Sequence, residues 1–115
     1  MTSHSVNTKR VYRFDAVLAR GELVLPIAEL RCLGQRIWKW HSPYKAKCPQ
    51  IVAGSGMRFH DGSRISFCEG RSRIELTRHD RNKIILIHEM AHALTGWRHG
   101  IAFQNKYAEL LATWL

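Results

Sequence analysis

Apolar residues recur along this chain with two different periods, and the changes of period mark its elements. Ile27, Leu30, Leu33, Ile37 and Trp40 follow one another at three- and four-residue steps, which predicts an amphipathic helix of about four turns. Pro26 suits the first turn of that helix, and Ser42-Pro43 ends it. Gln50 to Ala53 then reads as a strand, followed by turns at Gly54-Ser55-Gly56 and Asp61-Gly62. Arg64 to Cys68 and Arg73 to Thr77 alternate apolar and polar residues around Glu69-Gly70-Arg71, the pattern of a hairpin. The helical period returns from about Arg81 to Leu94, with Asp80 placed to cap it and Ile84, Ile87, Ala91 and Leu94 as its buried stripe. Thr95-Gly96 stops this helix. A final helix runs from about Ile101 to Trp114 and turns Phe103, Tyr107, Leu110 and Trp114 to the core. Residues 1–8 read as disordered, and Arg10 to Leu18 as a short strand or an irregular lead-in.

The elements add up to an α+β fold. It has an N-terminal helix, a small, mostly antiparallel sheet of about three to four strands, and two further helices. With 115 residues, one domain over residues 9–115 with a single core is the expectation. A content of 45% hydrophobic and 23% charged residues is that of a folded globular protein.

Charge adds a second theme. Eighteen basic residues against nine acidic ones leave a formal charge of +9, a balance that attracts polyanions. No acidic residue lies between Glu29 and Asp61, an interval that holds Arg31, Arg36, Lys39, Lys45, Lys47 and Arg58. Three cysteines, Cys32, Cys48 and Cys68, form no C-x-x-C pair and point to reduced thiols rather than a disulfide framework. The polar, basic N-terminus lacks an apolar signal core, and no apolar run approaches a membrane-spanning length. A cytoplasmic protein with no membrane partner is the expectation.

The second of the three predicted helices carries the chemistry. His88-Glu89-Met90-Ala91-His92 is an H-E-x-x-H sequence, and His99-Gly100 follows. Two imidazoles four residues apart share a helix face and can grip one metal ion. Zinc accepts neutral imidazole nitrogens, and a catalytic zinc keeps one position for water. Glu89 is placed to take a proton from that water, as the general base of a hydrolase. On an unbroken helix His99 would stand about 10 Å beyond His92, out of reach of the same ion. The chain must turn near Gly96, which tolerates a positive φ, to bring His99 back. Glu109 is the rival third ligand. At this chain's own composition an H-E-x-x-H arises by accident about once in fifty such chains. Here it also sits on a helical pattern with a break before a third histidine. Tyr107, His60 and His79 are candidate donors to a developing oxyanion, though Tyr107 is better suited to the core and either histidine to the surface.

Ile87 to Leu94, together with His99-Gly100-Ile101-Ala102-Phe103, resembles small zincins of the SprT-like and related bacterial or phage metallohydrolase families. These share H-E-x-x-H followed by H-G-x-x-F. The resemblance covers residues 84–114 well and the preceding hairpin more loosely. It implies a minimal zincin-like domain and a zinc metalloprotease, with one Zn2+ on His88, His92 and His99 and with Glu89 as base. It further implies that a protein or peptide substrate pairs with an edge strand, here Ile65, Ser66, Phe67 and Cys68. SprT-like proteins often continue into a zinc ribbon or DNA-binding region, which is not seen before Leu115. In the ImmA-like peptidases the third ligand is usually acidic.

Arg36-Ile37-Trp38-Lys39-Trp40-His41, followed by Tyr44-Lys45-Ala46-Lys47, interleaves cations with aromatics. Arg36, Lys39, Lys45 and Lys47 are candidate nucleic-acid contacts, because such surfaces follow phosphates and stack bases. The plainer reading buries Trp40 in the core and leaves the lysines solvated. Two other functions therefore stand beside the peptidase: a nucleic-acid-binding module with a structural or vestigial zinc, and a zinc hydrolase acting on other carbonyl substrates.

Overall fold

The computed structural model describes Asp15 and residues 22–58 and 64–115. The predicted disorder of residues 1–8, the Asp61-Gly62 turn and His60 lie outside the described residues. Within the Arg10 to Leu18 lead-in only Asp15 is described, and its backbone is helical rather than extended.

The fold is α+β. Helix α1 (Ile27–His41) leads into β1 (Gln50–Ala53), followed by β2 (Met57–Arg58), β3 (Arg64–Ile65), β4 (Phe67–Glu69) and β5 (Arg73–Leu76). A 3-10 turn over Arg78–Asp80 precedes α2 (Lys83–Thr95) and α3 (Ile101–Trp114). Among the described residues the strands number five, more than expected, because β2 is additional and the strand expected over Arg64 to Cys68 is divided between β3 and β4. β1, β5 and β4 form one sheet in that order, and β2 pairs with β3 in another. β4 and β5 make the antiparallel hairpin read from the sequence, with Cys68 opposite Ile74. β1 runs parallel to β5, so the larger sheet is mixed. The strand predicted over Arg64 to Cys68 breaks at Ser66, whose side chain takes over from backbone pairing. Its Oγ accepts the Thr77 N–H at 2.9 Å and donates to Asp80 Oδ2 at 3.0 Å.

Helix α1 rotates further than its apolar pattern suggests. Leu30, Gly34, Ile37 and Trp38 are buried, whereas Trp40 is 76% exposed, which corrects the expectation that Trp40 is core. Gly34 is the cause. A Cβ there would stand 2.2 Å from Ile51 Cδ1, so the bare backbone lets β1 come close on that side. The buried face is thereby centred between Leu30 and Trp38, and Trp40 falls outside it. The Trp38 indole N–H donates to the Ala46 carbonyl at 2.9 Å, satisfying its polar end.

Helix α2 is the centre of the molecule. The predicted stripe of Ile84, Ile87, Ala91 and Leu94 is buried, and so are Leu86, Met90 and Ala93. Burial nearly all round means a helix sandwiched by other elements, here α1 and the sheet on one side and α3 on the other. Its cap is Asn82, whose side chain accepts the Ile85 N–H at 2.9 Å. Asp80, the cap expected from sequence, instead accepts the Thr77 hydroxyl at 2.9 Å as well as that of Ser66. The helix therefore starts at Lys83, two residues later than expected, with Arg81 and Asn82 linking it to the 3-10 turn. Among the described residues no helix is long and apolar enough to cross a membrane.

Candidate metal centre

The histidines of α2 reach the cleft because the sequence places them one turn apart, and His99 joins them because α2 stops at Gly96. Gly96 has φ +131°, a conformation other residues rarely adopt. Its N–H donates to the His92 carbonyl at 2.7 Å. Its own carbonyl accepts from His92 Nδ1, also at 2.7 Å. A carbonyl can only accept, so Nδ1 carries the proton and Nε2 is left with its lone pair. One glycine therefore both ends the helix and sets the tautomer of a candidate ligand. The Gln104 side-chain amide donates to the His99 carbonyl at 2.9 Å, tying the returning chain to the first turn of α3.

The three imidazoles converge through Nε2. His99 Nε2 lies 3.0 Å from His92 Nε2 and 3.3 Å from His88 Nε2. All three ligand atoms lie within 4.8 Å of one another, close enough to hold one metal ion. Tetrahedral nitrogens about 2.05 Å from zinc stand about 3.3 Å apart, so the spacing and the donor set fit a single ion of that size. Glu109 takes no part. It is exposed on α3, paired with Lys106 at 3.2 Å and His41 at 3.0 Å, and the Lys106 ammonium holds its carboxyl below the usual range.

Behind the imidazoles lies an aromatic floor. Phe103 packs against all three, with ring centroids 4.4 Å from His92, 4.8 Å from His99 and 5.1 Å from His88. Tyr107 stands edge-on to His88 at 5.5 Å. The Tyr107 hydroxyl donates to Asp15 Oδ1, and Tyr107 is not among the residues that line the cleft. His79 is exposed and lies outside the cleft lining.

Asp15 was not foreseen. It is buried, and its Oδ2 lies 2.7 Å from His88 Nδ1. The only sequence signal was a lone acid among Phe14, Ala16, Val17 and Leu18, in a segment with no clear period.

Burial shapes the protonation of the site. It pushes His92 down to about 4; the neighbouring His88 adds to this and the Gly96 bond opposes it, so His92 is neutral at physiological pH. Burial also pushes His88 down, but the Asp15 carboxylate 2.7 Å from its Nδ1 and the charges of Glu89 and Asp80 outweigh it and the net shift is upward. Glu89 is pushed up to about 7, chiefly by burial, with Asp15 and Asp80 adding to the rise and His88 opposing it. Such a carboxyl is poised to exchange a proton near neutrality.

The cleft in front of the histidines has a volume of about 400 Å³. Ile65, Ser66, Phe67 and Cys68 line it, together with Ile85 and the largely exposed Trp97. Asp15, Asp80 and Glu89 supply its charge, and no lysine or arginine is among the described residues that line it. The Cys68 thiol is pushed up to about 12 by burial and by Glu89. The cysteines at 32, 48 and 68 are free thiols. Arg36, Lys39, Lys45 and Lys47 are exposed and stand apart from this cleft, with the Arg36 guanidinium 5.3 Å from the Trp114 ring centroid. Comparison with protein-family profiles, with curated proteins and with solved structures gives no match.

Proposed function

We propose that this chain is a zinc-dependent hydrolase of the small zincin kind, acting on peptide bonds. The convergence of three Nε2 atoms at the spacing of one tetrahedral ion supports this reading, with a buried carboxyl next to the first ligand. His88, His92 and His99 would hold the ion as neutral donors. When bound, zinc acidifies water and polarises a carbonyl. Glu89 takes the proton of the attacking water and returns it to the leaving amine. Phe103 and Tyr107 close the back of the site to solvent, which keeps these charges strong. The cleft favours a peptide over a phosphate ester. Phosphoryl groups are met by cations, whereas this cleft offers three carboxylates and the apolar side chains of Ile65, Phe67, Ile85 and Trp97.

Protein stripped by a chelator and reloaded with one equivalent of zinc is expected to cleave a quenched fluorescent peptide library rich in apolar residues. The stripped protein is expected to be inert. A zinc-loaded protein that cleaves neither the library nor unfolded protein overturns the reading.

The exposed Trp40 favours a second activity on another face. It shares the outer side of α1 with Arg36 and Lys39, and Lys45 and Lys47 follow. An exposed indole among cations suits single-stranded nucleic acid, stacking a base while the cations meet phosphates. Four such contacts predict that log K falls with log salt at a slope of about −3. Affinity for an oligonucleotide that is unchanged between about 50 and 200 mM salt would remove this reading.

A further inference from the structure

The geometry points to Asp15 as the residue that orients His88 for metal binding, with Tyr107 holding Asp15 in place. The inference rests on the three histidines being a metal centre, and does not need the hydrolytic reading.

A carboxylate that is only 6% exposed must be paired, because an unpartnered buried charge is costly. Asp15 divides its two oxygens. Oδ2 faces His88 Nδ1 at 2.7 Å, and Oδ1 accepts the Tyr107 hydroxyl, 92 residues further along the chain. A carboxylate at Nδ1 keeps the proton on that nitrogen, so the lone pair is on Nε2, the atom that faces His99. The plane of the ring is fixed as well. Phe103 and Tyr107 both pack edge-on against it, at interplanar angles of 62° and 71°. Tyr107 thus acts twice, through its ring on His88 and through its hydroxyl on Asp15.

The two ligands of α2 are held differently. His92 gives its Nδ1 proton to a neutral carbonyl, that of Gly96, whereas His88 faces an anion. An anionic partner raises the donor strength of an imidazole and offsets part of the charge of a dication. His88 is therefore the stronger donor of the pair. A carboxylate near the N-terminus belongs to the metal centre, although the ligands themselves all come from residues 88–99.

Asp15→Asn is the direct test, because it keeps the shape and removes the charge. If its amide NH2 faces Nδ1, His88 is driven to the tautomer that cannot ligate through Nε2. Zinc affinity is read by competition with a chromophoric chelator, and Co2+ absorption at saturating metal reports the ligand field. Asp15→Asn is expected to bind zinc about 10–100-fold more weakly, with a shifted cobalt spectrum. Tyr107→Phe is expected to move both in the same direction by less. A residue that only supported the fold would change melting of the metal-free protein without changing the cobalt spectrum. Should Asp15→Asn fail to fold, Tyr107→Phe and Asp15→Glu decide by the same two measurements. Wild-type affinity with an unchanged spectrum in these variants overturns the role of Asp15. A wild-type protein that binds no zinc overturns the metal centre itself, and Asp15's role with it. Peptide cleavage enters neither outcome.

Discussion

In Glu89→Gln, cleavage of any peptide hydrolysed by the zinc-loaded protein is expected to fall by about 10²–10⁴-fold, the usual contribution of a positioned general base. Zinc content is expected to stay at the wild-type level, since Glu89 is not among the converging ligand atoms. The two measurements separate proton transfer from metal binding. Cleavage equal to wild type would sink the mechanism. The pH profile carries the same assignment. Burial raises Glu89 from 4.5 to about 7, and a base works only when deprotonated, so kcat/KM climbs with pH on an acid limb. A bound dication pulls that limb below about 7. In Glu89→Gln the limb due to this group is absent. Stability moves the other way in metal-free protein. The native state keeps a proton that the unfolded chain releases above 4.5, so this group's contribution is lost as pH rises from 4.5 through about 7. Glu89→Gln removes that dependence.

His99→Ala is expected to weaken zinc binding by more than the 10–100-fold typical of a supporting partner, because it removes one of three donor atoms outright. Glu109→Ala is expected to leave binding unchanged, as its carboxylate serves Lys106 and His41 at the surface. Competition with a chelator measures both. Wild-type affinity in His99→Ala would take His99 out of the centre. The pair of variants discriminates between the two third ligands that the sequence allowed, and the reason lies in one residue. Gly96, at φ +131°, turns the chain so that His99 comes back to His92 within 3.0 Å, while Glu109 continues outward along α3.

The parts of the fold that were legible in the sequence are those governed by local period. α3 has the predicted limits, β1 covers Gln50–Ala53 as read, and α2 ends at the Thr95-Gly96 stop. These follow from side-chain spacing and from residues that start or stop a helix wherever they occur. The candidate ligands were legible for the same reason, since two histidines four apart meet on any helix and a glycine is needed wherever the backbone takes a positive φ. Long-range packing accounts for what was missed. Trp40 carried the right period but the wrong face, because the buried side of α1 depends on where β1 can approach, and Gly34 opens that approach to Ile51. Asp80 had the chemistry of a cap but was drawn to Ser66 and Thr77, leaving the role to Asn82.

Asp15 is the fullest case. Nothing within ten residues of it hints at a partner, and its two contacts lie on α2 and α3. By itself the sequence determined the helices, the turn at Gly96 and the three imidazoles that could meet, because each rests on interactions among near neighbours. Only the tertiary structure decided which face of α1 is buried, which acid caps nothing, and which carboxylate stands behind His88. Those choices depend on atoms distant in sequence competing for the same space and the same hydrogen bonds.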